Sequence, residues 1–324
     1  MNLDSVKQQI INGYLFFNMP AFFLNKMKGK GIVIMYHGVD FHSNTMFNTR
    51  FVSVKSLEKQ LIYFKKHCNV LTSNDFFLKK FDKDKCNLTI TFDDGYKNNF
   101  ELAMPLFEKY KLPATFFVTG LNKTKYNILW ADFLDLASFY TNKELLIEDK
   151  VFIKKQDFYV DKDNNERLLD FIKKESRHDL IDLVMKLFLS FKNVKPQIEN
   201  NKLYWELMSD NEIEASSKFK YVEIGSHAYS HLCLGNLSNA EARNEIQLSK
   251  GYLENVMQKE VTSVAYPDGS YTRDLISFCK SIGFKNQYAV GYLFEEDMLD
   301  LNIQDRIGIY PTANTNYMLY SIFK

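Results

Sequence analysis

The sequence has 324 residues, 46% of them hydrophobic, and can therefore bury the core of one large domain or of two. Its 41 basic and 40 acidic residues nearly cancel, and no cluster of arginines alternates with aromatic residues, which excludes the charge pattern of a nucleic-acid-binding protein. The four cysteines form neither a CxxC pair nor a dense framework, so we expect reduced thiols, as in the cytoplasm, at Cys68, Cys86, Cys233 and Cys279.

The first 30 residues are unusual because IINGYLFFNMPAFFL (10–24) is rich in large apolar side chains and three lysines follow it closely. It is shorter than the roughly 20 apolar residues that a spanning helix needs, and it lacks the features of a secretory signal. Two interpretations remain: a helix packed on the domain, or a segment at residues 10–30 that lies in the membrane surface while its lysines meet anionic lipid. We therefore expect a cytoplasmic protein, with contact to the inner face of the membrane under the second interpretation.

Seven short β-rich runs follow, and several of them are apolar on both sides, which is typical of parallel strands covered on both faces. Helical patterns lie between the runs at residues 57–67, 99–110, 239–258 and 273–282, and the third begins with a capping box at Ser238 and Glu241. This alternation predicts a β/α barrel or an open doubly wound sheet. The runs are residues 31–38, 88–95, 114–120, 222–228, 262–269, 287–292 and 305–310.

The alternation is interrupted between the third and fourth runs. The intervening residues are lysine-rich and mostly helical in pattern, with a polar stretch, DKDNNE, at 161–166. A simple crossover connection is not this long. We therefore predict a helical insertion at about residues 122–213, called the insertion below.

Two adjacent acids, Asp93 and Asp94, stand where the second run ends, in LTITFDDG (88–95). One interpretation is turn chemistry, since aspartates and glycine favour turns. The other is that a buried strand delivers both carboxylates to its carboxyl end, where α/β proteins build their sites. His227 and His231, four residues apart beyond a later strand, favour the second, because on a helix or helical turn both rings would share a face. One carboxylate and two imidazoles are a sufficient ligand set for a catalytic zinc ion.

Three stretches, in this order, resemble the polysaccharide deacetylases that share the NodB homology domain, carbohydrate esterase family 4. They are TFDDG (91–95), GSHAYSH (225–231) and AYPDGSY (265–271), and the connecting segments on both sides of the histidines are also similar to the family. The insertion is not covered. The resemblance implies a distorted (β/α)7 barrel over residues 31–324, interrupted by the insertion, and a glycan substrate.

The resemblance also implies a division of labour between the two acids. Asp93 would be the general base, and Asp94 would bind one divalent metal ion with His227 and His231, zinc being the first choice. Amide hydrolysis fits this division, because a divalent ion lowers the pKa of water while a nearby carboxylate takes its proton.

By the same resemblance, the substrate and its oxyanion would be contacted at the turn that ends the fifth run. The backbone N–H of Asp268, which follows the motif proline, is the implied oxyanion donor, and Tyr266 lies beside it. Asp268 stands where an aromatic residue is common in the family, which puts the substrate contacts in question.

Other departures from the family move two roles elsewhere. The usual acid histidine near the carboxyl terminus is missing, and IVIMYHGV (32–39) resembles the branch that deacetylates poly-N-acetylglucosamine, in which this histidine precedes the aspartates. We therefore assign the general acid to His37, with a core histidine as the alternative. Ala265 replaces the arginine that orients the base. Arg306 is a candidate replacement, with a structural salt bridge as the alternative.

One more departure from the family concerns the histidine loop, and three histidines lie outside the motifs. Ala228 stands where serine or threonine is usual, which removes a hydrogen bond from the histidine loop without removing a ligand. The remaining histidines have no comparable context, and we interpret His42, His67 and His178 as surface or structural residues.

These implications predict a hydrolase that removes an N-acetyl group from an N-acetylated sugar of a polysaccharide or of a lipid-linked glycan precursor. Three alternatives remain open. The first is a deformylase or O-deacetylase with the same site, and the second is a weakly active or inactive sugar-binding protein on the same fold. The third is a structural α/β protein whose acids and histidines never meet.

Overall fold

The structure is a computed structural model that describes residues 24–42, 46–124 and 127–310. Most of the amino-terminal segment lies outside the described residues, so its membrane contact stays a prediction. Within the described ranges, no helix is both long enough and apolar enough to cross a membrane.

The chain forms fourteen strands within the described residues, most of them short. In chain order they are β1 (Gly31–Tyr36), β2 (Val39–Asp40), β3 (Val52–Ser53), β4 (Cys68–Val70), β5 (Cys86–Phe92), β6 (Ala114–Val118), β7 (Leu145–Ile147), β8 (Lys150–Lys155), β9 (Phe158–Asp161), β10 (Val222–Ser226), β11 (Ser263–Ala265), β12 (Asn286–Tyr288), β13 (Ile303–Gln304) and β14 (Ile307–Gly308).

Helices connect these strands. They are α1 (Val54–His67), α2 (Ser73–Phe77), α3 (Met104–Tyr110), α4 (Trp130–Tyr140), α5 (Leu168–Glu175), α6 (His178–Leu189), α7 (Val194–Asn200), α8 (Asp210–Ser216), α9 (Asn239–Met257) and α10 (Arg273–Ser281). The four predicted helices are present, the second of them divided into a π-helical turn at Asn99–Ala103 and α3. The predicted capping box at Ser238 and Glu241 opens α9.

Nine parallel strands form one curled sheet in the order β13-β12-β11-β10-β6-β5-β1-β14, and β4 also pairs with β5. The segment at residues 303–308 pairs with β12 through β13 and with β1 through β14. Because β13 and β14 belong to the two ends of this order and only Asp305 and Arg306 separate them, this segment links one end of the sheet to the other. The seven predicted runs thus follow one another around a distorted barrel, and the predicted fold class is confirmed.

The main core lies between the sheet and its helices. Tyr36, Phe92 and Phe116 stack across three neighbouring strands, with ring centroids 5.0 and 4.6 Å apart, and Phe107 of α3 meets Phe116 edge-on. All seven residues of β5 are buried, as expected for a central parallel strand with both faces covered. This packing holds the carboxyl ends of β1, β5 and β6 in register.

The insertion has a hydrophobic core of its own, formed by residues between Ile128 and Trp205. Its helices α4 to α7 were predicted in outline, but the antiparallel sheet β7-β8-β9 was not. The missed signal is the alternation of buried Leu145 and Ile147 with exposed Leu146, followed by a turn at Glu148, which has positive φ. The lysines on β8 obscured this period. All four cysteines are buried and free, as predicted.

Candidate active site

Parallel register brings the predicted groups to one rim of the barrel. Tyr36 pairs with Phe92, so the residues that follow them, His37 and Asp93, emerge side by side from β1 and β5. In the same way β10 pairs with both β6 and β11, and His227 leaves its end. Carboxyl ends of parallel strands share one edge, which is why residues distant in sequence meet there.

The turn after β5 separates the two acids. Asp94 and Gly95 both have positive φ, 77° and 76°. A side chain on Gly95 would also meet Cγ1 of Val118 at 2.9 Å, so this position requires glycine. Both sequence interpretations therefore hold at once, because the stretch is a tight turn and the turn aims the two carboxylates differently.

Asp94 is buried against both histidines. Its Oδ1 lies 3.5 Å from Nε2 of His227 and 3.2 Å from Nε2 of His231. Burial alone would raise the pKa of Asp94, but its hydrogen bonds to the two imidazoles, together with the charges of His231 and His37, outweigh burial and hold the pKa well below its ordinary value. The carboxylate is therefore ionised, as a metal ligand must be.

The two histidines converge through a loop and not through a helix, contrary to the sequence interpretation. Ala228 and His231 have positive φ, 57° and 55°, and they curl the segment so that the rings meet edge-on with centroids 5.0 Å apart. Nδ1 of His227 is 2.8 Å from the carbonyl oxygen of Ala265, which leaves Nε2 directed at Asp94.

The three side chains form the one group of this kind among the described residues, and their candidate ligand atoms lie within 4.8 Å of one another. Two ligands at about 2.1 Å from a tetrahedral zinc ion would be about 3.4 Å apart. The separations of 3.2 and 3.5 Å match that spacing. Asp94 Oδ2 and His231 Nδ1, both buried, have no hydrogen-bond partner among the described residues. The donor set, the spacing and the burial fit a divalent ion.

Asp93 is held by Arg306, which emerges between β13 and β14. Nη1 and Nη2 of Arg306 donate to Oδ1 and Oδ2 of Asp93 over 2.6 and 2.8 Å, and its Nε donates to the carbonyl oxygen of Ala289. The guanidinium is fully buried between the rings of Phe117 and Tyr288. Burial raises the pKa of Asp93, but Arg306, His227 and His37 together outweigh burial, and the pKa falls below its ordinary value.

His37 lines the same cavity, close enough to both acids to interact with their charges. Burial lowers the pKa of His37 to about 4, against the opposing pull of Asp94. Its Nδ1 is buried and has no hydrogen-bond partner in the described part of the chain. The ring is therefore neutral at neutral pH before a substrate binds.

Asp268 and Tyr266, predicted to contact the substrate, lie in different surroundings. Asp268 lines the cavity with φ of 53°, and its carboxylate pairs with Lys173 of the insertion. Tyr266 is completely buried, stacks on Tyr271 and donates its hydroxyl to Gln287. A substrate contact by the Tyr266 side chain is therefore wrong, because its ring packs in the core behind the turn.

The cavity has a volume of about 340 Å³ and lies between the rim and the insertion. Five residues of the insertion line the cavity, and none of them was predicted from the sequence. They are Ala131, Asp135, Arg167, Leu169 and Lys173. Arg50, whose Nη1 lies 3.8 Å from Oδ2 of Asp94, was not predicted at the site either. No motif marks these residues, and their place follows from the packing of the insertion on the rim.

A buried glutamate on α9 stabilises the histidine loop. Glu245 accepts hydrogen bonds from the backbone N–H groups of Tyr229 and Ser230 and from the Ser230 hydroxyl. These bonds stabilise a loop in which Ala228 supplies no hydroxyl. His178 of the insertion lies 3.8 Å from Glu245 and its side chain is 67% exposed, which fits the interpretation of His178 as a surface or structural residue.

The sequence matches the family model described as polysaccharide deacetylase over residues 80–148 and 186–287, more than half of the chain. The gap between the two matched parts falls within the insertion. No curated protein sequence matches the chain.

Solved structures of low sequence identity share the fold. A polysaccharide deacetylase from Bacillus cereus is 19% identical, with a TM-score of 0.55, over 90% of this chain and 68% of its own. The deacetylase PplD of Streptococcus pyogenes, solved with acetate, is 14% identical, with a TM-score of 0.55, over 90% and 97% of the two chains. IcaB from Ammonifex degensii is 13% identical, with a TM-score of 0.52, over 90% and 96%.

Proposed function

The chain belongs to the polysaccharide deacetylase family, and we propose on that premise that it is a metal-dependent hydrolase that removes N-acetyl groups from an N-acetylated sugar of a polysaccharide. The observation that carries this proposal is the pair of adjacent acids in two different settings. Asp94 faces two imidazoles at ligand spacing, whereas Asp93 is held by a buried arginine. A structural protein has no need of this division, since both acids are costly to bury.

Asp94, His227 and His231 would hold the metal ion, with zinc as the first choice. A divalent ion at such a site polarises a carbonyl oxygen and lowers the pKa of water. Three ligands from one carboxylate and two imidazoles leave a position open, which is typical of catalytic and not of structural zinc.

In this proposal Asp93 takes a proton from the attacking water. Its Oδ2 lies 3.8 Å from Nε2 of His227, so it is beside the ligand atoms without belonging to the ligand set. Arg306 keeps the carboxylate ionised and fixes its plane through two parallel hydrogen bonds. A carboxylate of low pKa is a weak base, and its fixed position has to compensate for this.

In this proposal His37 gives a proton to the amine nitrogen as the carbon–nitrogen bond breaks. In the overall balance the carbon–nitrogen bond breaks, the hydroxyl of water joins the acetyl carbon and one proton reaches that nitrogen, which leaves a free amine and acetic acid; the acid then releases its proton to the solvent and becomes acetate. Since the ring is neutral at first, negative charge that develops on the substrate must raise its pKa, as Asp94 already does in part.

The test is acetate release from N-acetylglucosamine oligomers by protein whose metal content has been determined. We expect the wild type to hold one metal ion and release acetate, and His231→Ala to lose both. Stoichiometric metal with release of formate or of O-linked acetate alone would support the deformylase or O-deacetylase alternative. Metal without release of any acyl group would support the sugar-binding alternative. A wild type that binds no divalent ion would contradict the proposal.

We further propose that the substrate includes a lipid-linked glycan precursor at the inner face of the membrane. The support is the apolar stretch at residues 10–24 with its following lysines. Deletion of residues 1–28 should abolish partitioning onto anionic vesicles and leave hydrolysis of soluble oligomers unchanged. Unchanged partitioning would contradict the proposal.

A further inference from the structure

The first turn of helix α4, in the insertion, contacts the metal-ligand residues in two ways. Nε1 of Trp130 donates a buried hydrogen bond of 3.2 Å to the carbonyl oxygen of His231. Asp132, two residues further along the helix, pairs with Arg50, and Arg50 approaches Asp94. One short stretch of the insertion thus reaches one ligand directly and a second ligand through an arginine.

The two oxygens of Asp94 have different surroundings. Oδ1 faces both imidazoles, whereas Oδ2 is buried and has no hydrogen-bond partner among the described residues. The nearest cation to Oδ2 is Arg50, whose Nη1 is 3.8 Å away. Partners of the outer oxygen of a ligand carboxylate orient that ligand, and their loss weakens metal binding. Arg50 is in the place where such a partner is needed.

Arg50 does not hold this position alone. Its Nη2 donates to Oδ1 of Asp132, and Oδ2 of the same carboxylate accepts a hydrogen bond of 2.7 Å from the hydroxyl of Tyr96. Asn48 donates to Oδ1 as well, over 3.2 Å. Asp132 is only 2% exposed, while the side chain of Arg50 is 24% exposed. Asp132 is thus the more buried member of the pair, and it fixes the guanidinium together with Asn48, whose Oδ1 accepts a hydrogen bond of 3.3 Å from Nε of Arg50.

We propose that Asp132, acting through Arg50, is a positioning residue for the ligand Asp94, so that the insertion is part of the metal centre. This inference rests on the proposed metal site. It assigns to the insertion a role in metal affinity in addition to its role as a wall of the substrate cavity.

The test compares two isosteric substitutions within the insertion, Asp132→Asn and Asp161→Asn. Both carboxylates are 2% exposed and both pair with a cation, but Asp161 pairs with Lys150 in the β8-β9 hairpin, away from the cavity. Affinity is measured by titration of the metal-free protein with Co²⁺, followed by the visible absorption of the bound ion, and with Zn²⁺ in competition. We expect Asp132→Asn to weaken binding about 10- to 100-fold and Asp161→Asn to leave it unchanged.

A double-substitution cycle tests the path through Arg50. If Asp132 acts only through Arg50, then Arg50→Gln and Asp132→Asn should each weaken Co²⁺ binding by a similar factor, and the double variant should lose no more than either alone. Circular dichroism and thermal unfolding of each variant establish that it is folded.

Three results would be decisive against the inference. Equal Co²⁺ affinity of Asp132→Asn and Asp161→Asn would overturn it. So would additive losses in the double variant. Unchanged Co²⁺ affinity with a raised KM for Arg50→Gln would make Arg50 a substrate contact instead. Failure of the proposed function is a separate result, because it appears as a wild type that binds no metal, before any variant is compared.

Discussion

The barrel rim and the insertion both line the cavity, but they differ in what they contribute and in how firmly it is held. The rim contributes Asp93, Asp94 and His227, all buried and each at the end of a strand whose register neighbours fix. The insertion contributes walls such as Lys173 from helices that pack on a separate core. The groups that we propose to react therefore lie on the barrel rim, and the shape of the cavity depends on the insertion as well. Substitutions on the rim should therefore lower kcat, whereas substitutions in the insertion should raise KM.

The largest effect should come from Asp93→Asn on the rim. The amide cannot take a proton from water, so kcat should fall about 10²- to 10⁴-fold, while the metal content stays that of the wild type. Steady-state kinetics and elemental analysis of the same samples check both parts. The matched control is Asp94→Asn, the adjacent and equally buried acid, which should lose the metal ion. Loss of metal in both variants would contradict the division of labour.

Next in size is Arg306→Met, which leaves Asp93 buried without its partner. Breaking a buried ion pair in this way should lower the free energy of unfolding by about 3–5 kcal/mol. The control is Arg243→Met, which removes a bidentate pair with Asp274 whose side chains are 43% and 41% exposed. That pair should contribute no more than about 1 kcal/mol. Equal shifts in urea denaturation would show that Arg306 is not the partner on which Asp93 depends.

A smaller effect should follow from Lys173→Met in the insertion. Lys173 lines the cavity and pairs with Asp268 on the opposite wall, so we expect KM to rise by roughly tenfold, about 1.4 kcal/mol, with kcat little changed. Lys186→Met is the control, since Lys186 lies on α6, is 61% exposed and does not line the cavity. A fall in kcat at constant KM would contradict the separation of the two regions.

The smallest effect concerns pH and the contact of His178 with Glu245. The carboxylate of Glu245, which lies 3.8 Å from Nε2 of His178, raises the pKa of His178 against the effect of burial. A histidine whose pKa is raised on folding stabilises the protein fully below its unfolded pKa, and this contribution is lost as pH rises through the folded pKa. Wild type should thus be more stable than His178→Gln at pH 5.5, by roughly 0.2–1 kcal/mol because the side chain is so exposed. This difference should disappear by pH 8.5.

A histidine with the opposite shift serves as the control for this measurement. Burial lowers the pKa of His67, so His67→Gln should gain stability relative to wild type as the pH falls. Thermal unfolding of the three proteins at pH 5.5, 7 and 8.5 compares the slopes. Slopes of the same sign for both substitutions would contradict the assignment of His178 to Glu245.

The rim was largely predictable because its pattern is local. Runs such as residues 88–95 combine the two-residue period of a strand with turn chemistry, and parallel strands must bring their carboxyl ends to one edge. Asp93, Asp94, His37, His227 and His231 were all expected there, and the structure brings them together. Arg306 was left between two interpretations, and its bidentate contact with Asp93 is a buried salt bridge. Its role in orienting a base stays a prediction.

The support for the site was not predictable in the same way. Arg50, Asp132 and Glu245 carry no motif, and Asp132 lies 38 residues beyond Asp94 in a region with a different pattern. The loop at residues 227–231 was expected to be helical, because spacing alone cannot reveal the positive φ of Ala228. Tyr266 was placed at the substrate because adjacency in sequence does not tell which face of a turn a side chain takes.

Residue order along the chain thus specified the strands, the turns and the candidate site residues of the rim, since each depends on neighbours within a few residues. Three-dimensional packing alone settled which carboxylate faces the histidines, which arginine pairs with Asp93 and what the insertion touches. These contacts join residues far apart in the chain, and their energies depend on burial and on distances of a few ångströms that no local pattern encodes.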